Sequence, residues 1–298
     1  MAANFWASSH GKQWLLSRQQ LLESRKEDLK YINTLEMMKV NIWFAKLMTE
    51  LGNSLGVRQV IIATALTNSY RGTEPYLVAA TCMYLACKIE ESPHHIKSVI
   101  AEMKHVTQDK GGFQYENHKV AEMEFYLLEE LNFNMIVFHP YRALTTLAQD
   151  LGTKNEDVQR AWFIVNDTYK TDMCLLYPPY VIAAAALYLP IALKGGGQYG
   201  DNSTSNDHSA QGVVTRGAKK GATSAVTNDA NNNGETTKVK DIRQWFALLN
   251  VDLDQIIDIV QEIISLYEVW DEYNKKNQEK HQEKHQEIHG ILQRLLKK

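Results

Sequence analysis

Residues 74–86 read EPYLVAATCMYLA, and residues 178–190 read PPYVIAAAALYLP. Aligned so that Pro75 meets Pro179, the stretches are also identical at Tyr76/Tyr180, Ala79/Ala183, Ala80/Ala184, Tyr84/Tyr188 and Leu85/Leu189. The remaining positions are mostly apolar in both. Each copy has proline near its start, where a helix does not need the missing N–H. Each then puts alanine pairs mid-helix, where small side chains let neighbouring helices approach. A helix that is apolar nearly all round must be buried on every side. Each copy therefore reads as the central helix of a bundle, ringed by others. Two unrelated buried helices would share an alanine-rich composition. They would not need Pro-Tyr and Tyr-Leu at matching places, so internal duplication is the better reading.

Outward from these helices the fold class is all-α. Few segments alternate with period two, and most apolar runs fit a helical period. The expected helices, about ten, lie near 11–31, 35–51, 57–67, 74–90, 93–104, 115–132, 140–150, 155–170, 178–193 and 241–273. Asn33-x-x-Glu36 resembles a capping box. Ser92-Pro93 reads as a cap followed by a first-turn proline, and His139-Pro140 and Pro178-Pro179 open two further helices. Residues 195–240 break the pattern, being rich in Gly, Asn, Ser, Thr and Asp with few large apolar side chains. Such a stretch cannot offset its ordering entropy, so it is expected to be a disordered insert inside a domain. The helical pattern resumes with Ile242, Trp245, Phe246, Leu248 and Leu249. The end of the chain is a charged helix candidate with an EKHQ-EKHQ repeat and an apolar stripe at Ile291, Leu292, Leu295 and Leu296.

Composition narrows the function. A formal charge of −3 over 298 residues gives no electrostatic reason to expect nucleic-acid binding. Cys82, Cys87 and Cys174 form no CxxC pair, and the first two lie in an apolar run, as core cysteines of a reducing compartment do. The opening residues lack the apolar run of a signal peptide, and no window has the length of a membrane span, so a cytosolic or nuclear setting without membrane contact is expected.

The residues themselves carry a family resemblance. LACKIEE at 85–91 and HKVAEMEFYLLEELNF at 118–133 resemble the first box of the cyclin family. NFWASSH at 4–10, VFHPYRAL at 137–144, VNDTYKTDMCLLYPPY at 165–180 and DIRQWFALLNVDLDQI at 241–256 resemble its cyclin C branch. The resemblance covers about residues 1–194 and 241–273. One departure follows VRQVIIATAL at 57–66: relatives continue that helix, whereas this chain goes directly to TNSYRGTEP.

The resemblance implies two tandem cyclin boxes, at 34–136 and 137–273, with an amino-terminal kinase-contact segment at 1–33 and a charged helical tail at 274–298. It implies a non-catalytic subunit that binds and activates a cyclin-dependent kinase of the Mediator kinase module, in transcription by RNA polymerase II, in the nucleus. Other subunits of that module would be partners, and no cofactor or metal is expected. Lys88 and Glu124 would form a pair on the kinase-facing surface, with Glu90 and Glu91 beside them near basic residues of the kinase. Spacing alone would make Lys88 and Glu124 an ordinary exposed ion pair of little worth; the family resemblance reverses that. Phe5, Trp6 and Trp14 are either anchors for the kinase or packed on their own chain, and aromatic enrichment does not choose between the two. The resemblance also implies a groove lined by Trp6, Glu90, Asn166, Asp167 and Tyr267 that receives an activating segment of a Mediator subunit.

Other signals are weaker. Gly195, Gly197 and Gly200 match GxGxxG but follow a helix rather than a strand, so a nucleotide site lacks its context. Residues 212–220, GVVTRGAKK, carry Ala218 where a phosphate loop needs lysine. His281, His285 and His289 recur every fourth residue, which suits one face of a solvated helix better than a metal site without further ligands. A cyclin-fold adaptor resembling transcription factor IIB is the competing class. The near-neutral charge and the absence of paired cysteines count against it.

Overall fold

The computed structural model describes residues 4–67, 74–108, 112–193, 242–275 and 281–296. The expected disordered insert, the glycine motif and the phosphate-loop lookalike fall outside the described residues, as does most of the segment where relatives extend their helix. No strand occurs among the described residues.

The chain opens with a 3₁₀ turn, Phe5–Ala7, and a π turn, His10–Trp14. Then come α1 (Arg18–Arg25), a 3₁₀ turn at Asp28–Lys30, α2 (Thr34–Ser54), α3 (Gln59–Thr67), α4 (Pro75–Ile89), α5 (Ile96–Val106) and α6 (Asn117–Glu130). They are followed by α7 (Pro140–Leu151), α8 (Asn155–Thr168), α9 (Met173–Leu176), α10 (Pro179–Leu193), α11 (Ile242–Leu248), α12 (Leu253–Lys275) and α13 (His281–Leu296). The expected helices over 74–90, 115–132, 140–150, 155–170 and 178–193 agree with α4, α6, α7, α8 and α10 to within two residues at each end.

Two bundles form around the duplicated helices. In the first, α4 is packed against α2, α3, α5 and α6. In the second, α10 is packed against α7, α8, α9 and α12. The alanines do what their size permits. Ala79, Ala80 and Ala86 of α4, and Ala183 to Ala186 of α10, are fully buried. Larger side chains from the surrounding helices close over them, among them Met48, Leu51, Ile61 and Met103 in the first core. Leu144, Met173 and Ile259 do the same in the second. Each such burial contributes about 1.5–3 kcal/mol before entropy is counted. At Gly52 an added Cβ would lie 2.5 Å from Ile62, so α2 and α3 touch only because that position has no side chain.

One helix serves both cores. Ile256, Ile259 and Ile263 of α12 lie in the second core, whereas Leu266 and Tyr273 lie in the first. The tail helix α13 then folds back on α2. Its Ile288, Ile291 and Leu292 are buried in the first core, and Lys39 of α2 reaches Glu287 at 2.6 Å. The tail is thus docked by an apolar stripe flanked by ion pairs from Glu287 and Arg294 to α2.

Local chemistry explains where the helices depart from expectation. The capping box at α2 is present: Glu36 N–H donates to Asn33 Oδ1 at 2.8 Å and Asn33 N–H donates to Glu36 at 3.0 Å. A second box at Ser17 and Gln20 starts α1 afresh, and Leu16 N–H donates to the Leu175 carbonyl at 2.7 Å, so the single helix expected over 11–31 is interrupted. The helix expected from Pro93 begins at Ile96 instead, capped by His95. Ser92 is used elsewhere. Its N–H donates to the Cys87 carbonyl and that of Glu91 to the Lys88 carbonyl, the paired bonds that close the end of α4. Glu91 takes the left-handed conformation there, with φ 51°, where glycine is usual. The run expected over 241–273 is divided between α11 and α12 by the turn at 249–252.

Candidate functional site

Lys88 lies in the last turn of α4, where the helix emerges from the core. Its Nζ is 2.6 Å from Glu124 Oε1 of α6 and 4.2 Å from the centre of the Tyr84 ring. The two helices bring together side chains far apart in sequence. The lysine side chain is 42% exposed and the glutamate 11%, so the pair sits at a boundary, with the ammonium reachable from outside. Burial pulls the Lys88 ammonium down, while the bonds to Glu124 and Tyr84 push it up, and its pKa is raised on balance. Phe125, Phe133 and Ile136, on α6 and just beyond it, are largely exposed. Phe133 follows Asn132 in a left-handed pair, φ 48° and 56°, just past the end of α6.

Glu91 is exposed, and Glu90 does not join the pair. At the C-cap of α4 its carboxylate turns inward and accepts from Thr64 Oγ1 of α3 at 2.7 Å. His139 Nε2 lies 4.0 Å from it. Glu90 is thus tied to Thr64 and to the junction between the bundles rather than to the Lys88–Glu124 pair.

The amino-terminal aromatics divide. The Phe5 ring meets Trp6, His10 and Phe138 edge-on, with centroids 5.2, 5.3 and 5.6 Å away. Trp14 is tilted against His10 at 5.6 Å. His10 is buried and its Nδ1 accepts from Phe138 N–H at 3.0 Å; burial lowers its pKa, against a bond to the Cys174 backbone. An added Cβ at Gly11 would lie 2.5 Å from the Phe5 carbonyl oxygen, so this turn requires glycine. Phe5 and Trp14 thus pack on their own chain, Phe5 against Trp6, His10 and Phe138 and Trp14 against His10. Trp6 stays 54% exposed, edge-on to Tyr180 at 6.3 Å. The segment continues into α1, which is held by Arg18 to Glu262 and to Tyr177 Oη, each at 2.5 Å, and by Arg25 to Asp172.

Of the expected groove residues, Asp167 and Tyr267 meet directly: the phenol donates to the carboxylate at 2.8 Å. Lys170 Nζ donates to the same carboxylate at 2.6 Å and stands 3.3 Å from the Trp270 ring centre. Burial lowers the Lys170 pKa, and burial together with the Asp167 charge raises that of Tyr267. Asn166 Oδ1 instead accepts from the Tyr141 hydroxyl at 2.8 Å and Glu90 from the Thr64 hydroxyl, while Trp6 only meets the Tyr180 ring edge-on. An apolar groove of about 610 Å³ runs beside them, with Phe5, Phe138, Tyr141, Tyr180 and Val251 in its walls. Sequence reading missed His139, Tyr169 and Lys170. All three lie inside quoted family strings, but only the assembled junction gives them neighbours. No cluster of three or more His, Cys, Asp or Glu suited to a metal occurs among the described residues.

Comparison with known proteins agrees with this architecture. The family model described as Cyclin, N-terminal domain matches residues 45–136, and that described as Cyclin C-terminal domain matches residues 139–268. The chain belongs to the cyclin family. Within it, the chain is 36% identical over 295 residues to the RNA polymerase II holoenzyme cyclin-like subunit of Aspergillus clavatus, covering 93% of this chain and 95% of that protein. It is 36% identical over 293 residues to Cyclin-C of Drosophila melanogaster, covering 93% and 94%. Among solved structures it resembles a chain of the CAK complex of Chaetomium thermophilum bound to ATP-gamma-S, with TM-score 0.61 and 17% identity over 98% of this chain and 87% of that one. It also resembles a chain of the yeast RNA polymerase II CTD kinase CTDK-1 complex, with TM-score 0.52 and 18% identity over 64% and 66%. At those identities the likeness is one of fold.

Proposed function

We propose that this chain is the regulatory subunit of a cyclin-dependent kinase acting in transcription by RNA polymerase II, and that it acts in the nucleus. It is not itself an enzyme: it belongs to a family of kinase regulators. The observation that carries the reading is the Lys88–Glu124 pair, joined at 2.6 Å from two helices with its ammonium open to a partner. As a stabilising contact it is weak, because the ammonium is 42% exposed and solvent screens its attraction to the carboxylate. As a docking point it gains, because a nearly buried carboxylate and a lysine have spare capacity that the backbone of a docked helix can fill. Exposed Phe125, Phe133 and Ile136 supply apolar area nearby.

A kinase needs its own Lys–Glu ion pair and a correctly placed helix beside the nucleotide. A subunit that binds the active placement more tightly shifts the population towards it, and only by the ratio of the two affinities. In this reading residues 34–136 form the first box and 137–273 the second, flanked by the contact segment at 1–33 and the tail at 274–298. Trp6, still exposed, is the anchor of that segment.

Lys88→Ala or Glu124→Ala is expected to weaken kinase binding more than tenfold with helix content unchanged by circular dichroism. Unaltered affinity in both variants overturns the assignment.

The finer assignment is to the Mediator kinase module, whose other subunits are the further partners. The similarity to Cyclin-C and to the holoenzyme cyclin-like subunit supports it. Asp167, Tyr267, Asn166, Trp6 and Glu90 are the proposed receiving surface for an activating segment. Asp167→Ala should leave kinase pairing intact while activation by that third subunit falls. Loss of the pairing itself would count against a separate receiving surface.

A further inference from the structure

Where the bundles join, four polar side chains from four parts of the chain form an unbroken line. Tyr169 Oη lies 2.6 Å from His139 Nδ1. His139 Nε2 lies 2.9 Å from Thr64 Oγ1, and Thr64 Oγ1 lies 2.7 Å from Glu90 Oε1. Thr64 and Tyr169 are buried, and the His139 side chain is 9% exposed.

The donor inventory gives the line a direction. An ionised carboxylate only accepts, so Thr64 donates its hydroxyl proton to Glu90. Thr64 then accepts from His139, which places the imidazole proton on Nε2. His139 Nδ1, left without a proton, accepts from the Tyr169 hydroxyl. The chemistry permits this at neutral pH. Burial pushes the His139 pKa down to about 4, with a smaller contribution from His10, and burial pushes Tyr169 well up, so both rings stay neutral.

Its ends matter for the docking edge. Glu90 caps α4 two residues beyond Lys88. His139 follows Phe138, whose N–H holds His10 and whose ring packs on Phe5. Tyr169 follows the end of α8 in the second bundle. The amino-terminal segment, the second bundle and the end of α4 are thus tied at one junction.

We propose that Tyr169–His139–Thr64–Glu90 is a one-way hydrogen-bond relay through which the second bundle and the amino-terminal segment set the position of the Lys88 end of α4, with His139 as the positioning residue. This rests on the kinase-docking reading above. The relay makes the docking edge and the amino-terminal segment one rigid surface rather than two that must be aligned at each encounter. A relay is cooperative: removing any member leaves a buried donor or acceptor unmatched.

The test uses the full chain, the isolated kinase and two substitutions at one position. Thr64→Val keeps the shape and removes the hydroxyl; Thr64→Ser keeps the hydroxyl. Kinase affinity should fall about tenfold in Thr64→Val and stay near wild type in Thr64→Ser. Nitrogen-15 NMR of the imidazole supplies a readout that packing alone would not move. The wild-type His139 should carry its proton on Nε2, as should Thr64→Ser. In Thr64→Val the proton should move to Nδ1, facing the Tyr169 oxygen. Wild-type His139 protonated on Nδ1 overturns the proposal, and that measurement needs no variant to fold. Unchanged affinity in Thr64→Val alongside a loss in Lys88→Ala overturns the relay and leaves the docking reading standing. Unchanged affinity in both removes the docking reading as well.

Discussion

The central helices α4 and α10 share a plan and end differently. In the aligned frame Tyr84 corresponds to Tyr188. Tyr84 holds the Lys88 ammonium 4.2 Å from its ring centre, whereas Tyr188 meets Phe246 edge-on at 5.2 Å. Tyr76 corresponds to Tyr180: the first packs on Trp43 at 5.6 Å, inside its own bundle, and the second on the amino-terminal Trp6. Lys88 itself corresponds to Ala192. The buried middles answer the same packing problem with the same small residues. The ends are free of that constraint. The end of α4 therefore carries a charged pair with Glu124 at a position where α10 has the uncharged Ala192.

Acid should break this comparison most severely, because it acts on the junction both bundles share. His139 has a folded value of about 4 against an ordinary 6.5, lowered by burial. Its contribution is complete above pH 6.5, is lost as pH falls from 6.5 towards 4, and is flat below that. The total is about 3 kcal/mol, read as the pH dependence of the urea midpoint, and His139→Phe should reduce the slope over that window to the part that buried His10 contributes. Ala80→Leu and Ala184→Leu should follow, each costing about 2–3 kcal/mol by overpacking. Equal losses by thermal unfolding support equivalent central roles, and tolerance at one site would show that its helix is not ringed. Ile291→Ala should be milder, about 2 kcal/mol. It should raise hydrogen exchange in α2 more than in α10, because Ile288, Ile291 and Leu292 of α13 lie in the first core.

Much of the fold was legible because its signals are local. The Pro-Tyr and Tyr-Leu repeat, the alanine pairs and the Asn33–Glu36 box each act within one helix. Reading failed where a local signal had two uses. Ser92-Pro93 can open a helix or close one, and the bonds from Ser92 and Glu91 back to α4 decide for closure. Ser17 and Gln20 fit inside a long helix until their reciprocal capping bonds start a new one. The site was legible in its residue types and less so in its geometry. Lys88 and Glu124 could be paired only through resemblance. The inward turn of Glu90 depends on Thr64 and His139, from other elements, as the docking of α13 depends on Lys39 and Glu36 of α2. Such contacts leave no periodic trace.

The most direct measurement is a side-by-side titration of the kinase against wild type, Lys88→Ala and Asp167→Ala. The two substitutions each remove one half of a 2.6 Å ion pair, Lys88–Glu124 in the first bundle and Lys170–Asp167 in the second. More than a tenfold loss is expected for Lys88→Ala and none for Asp167→Ala. Equal affinity in all three proteins, or a loss confined to Asp167→Ala, would contradict the placement of the docking edge on the first bundle.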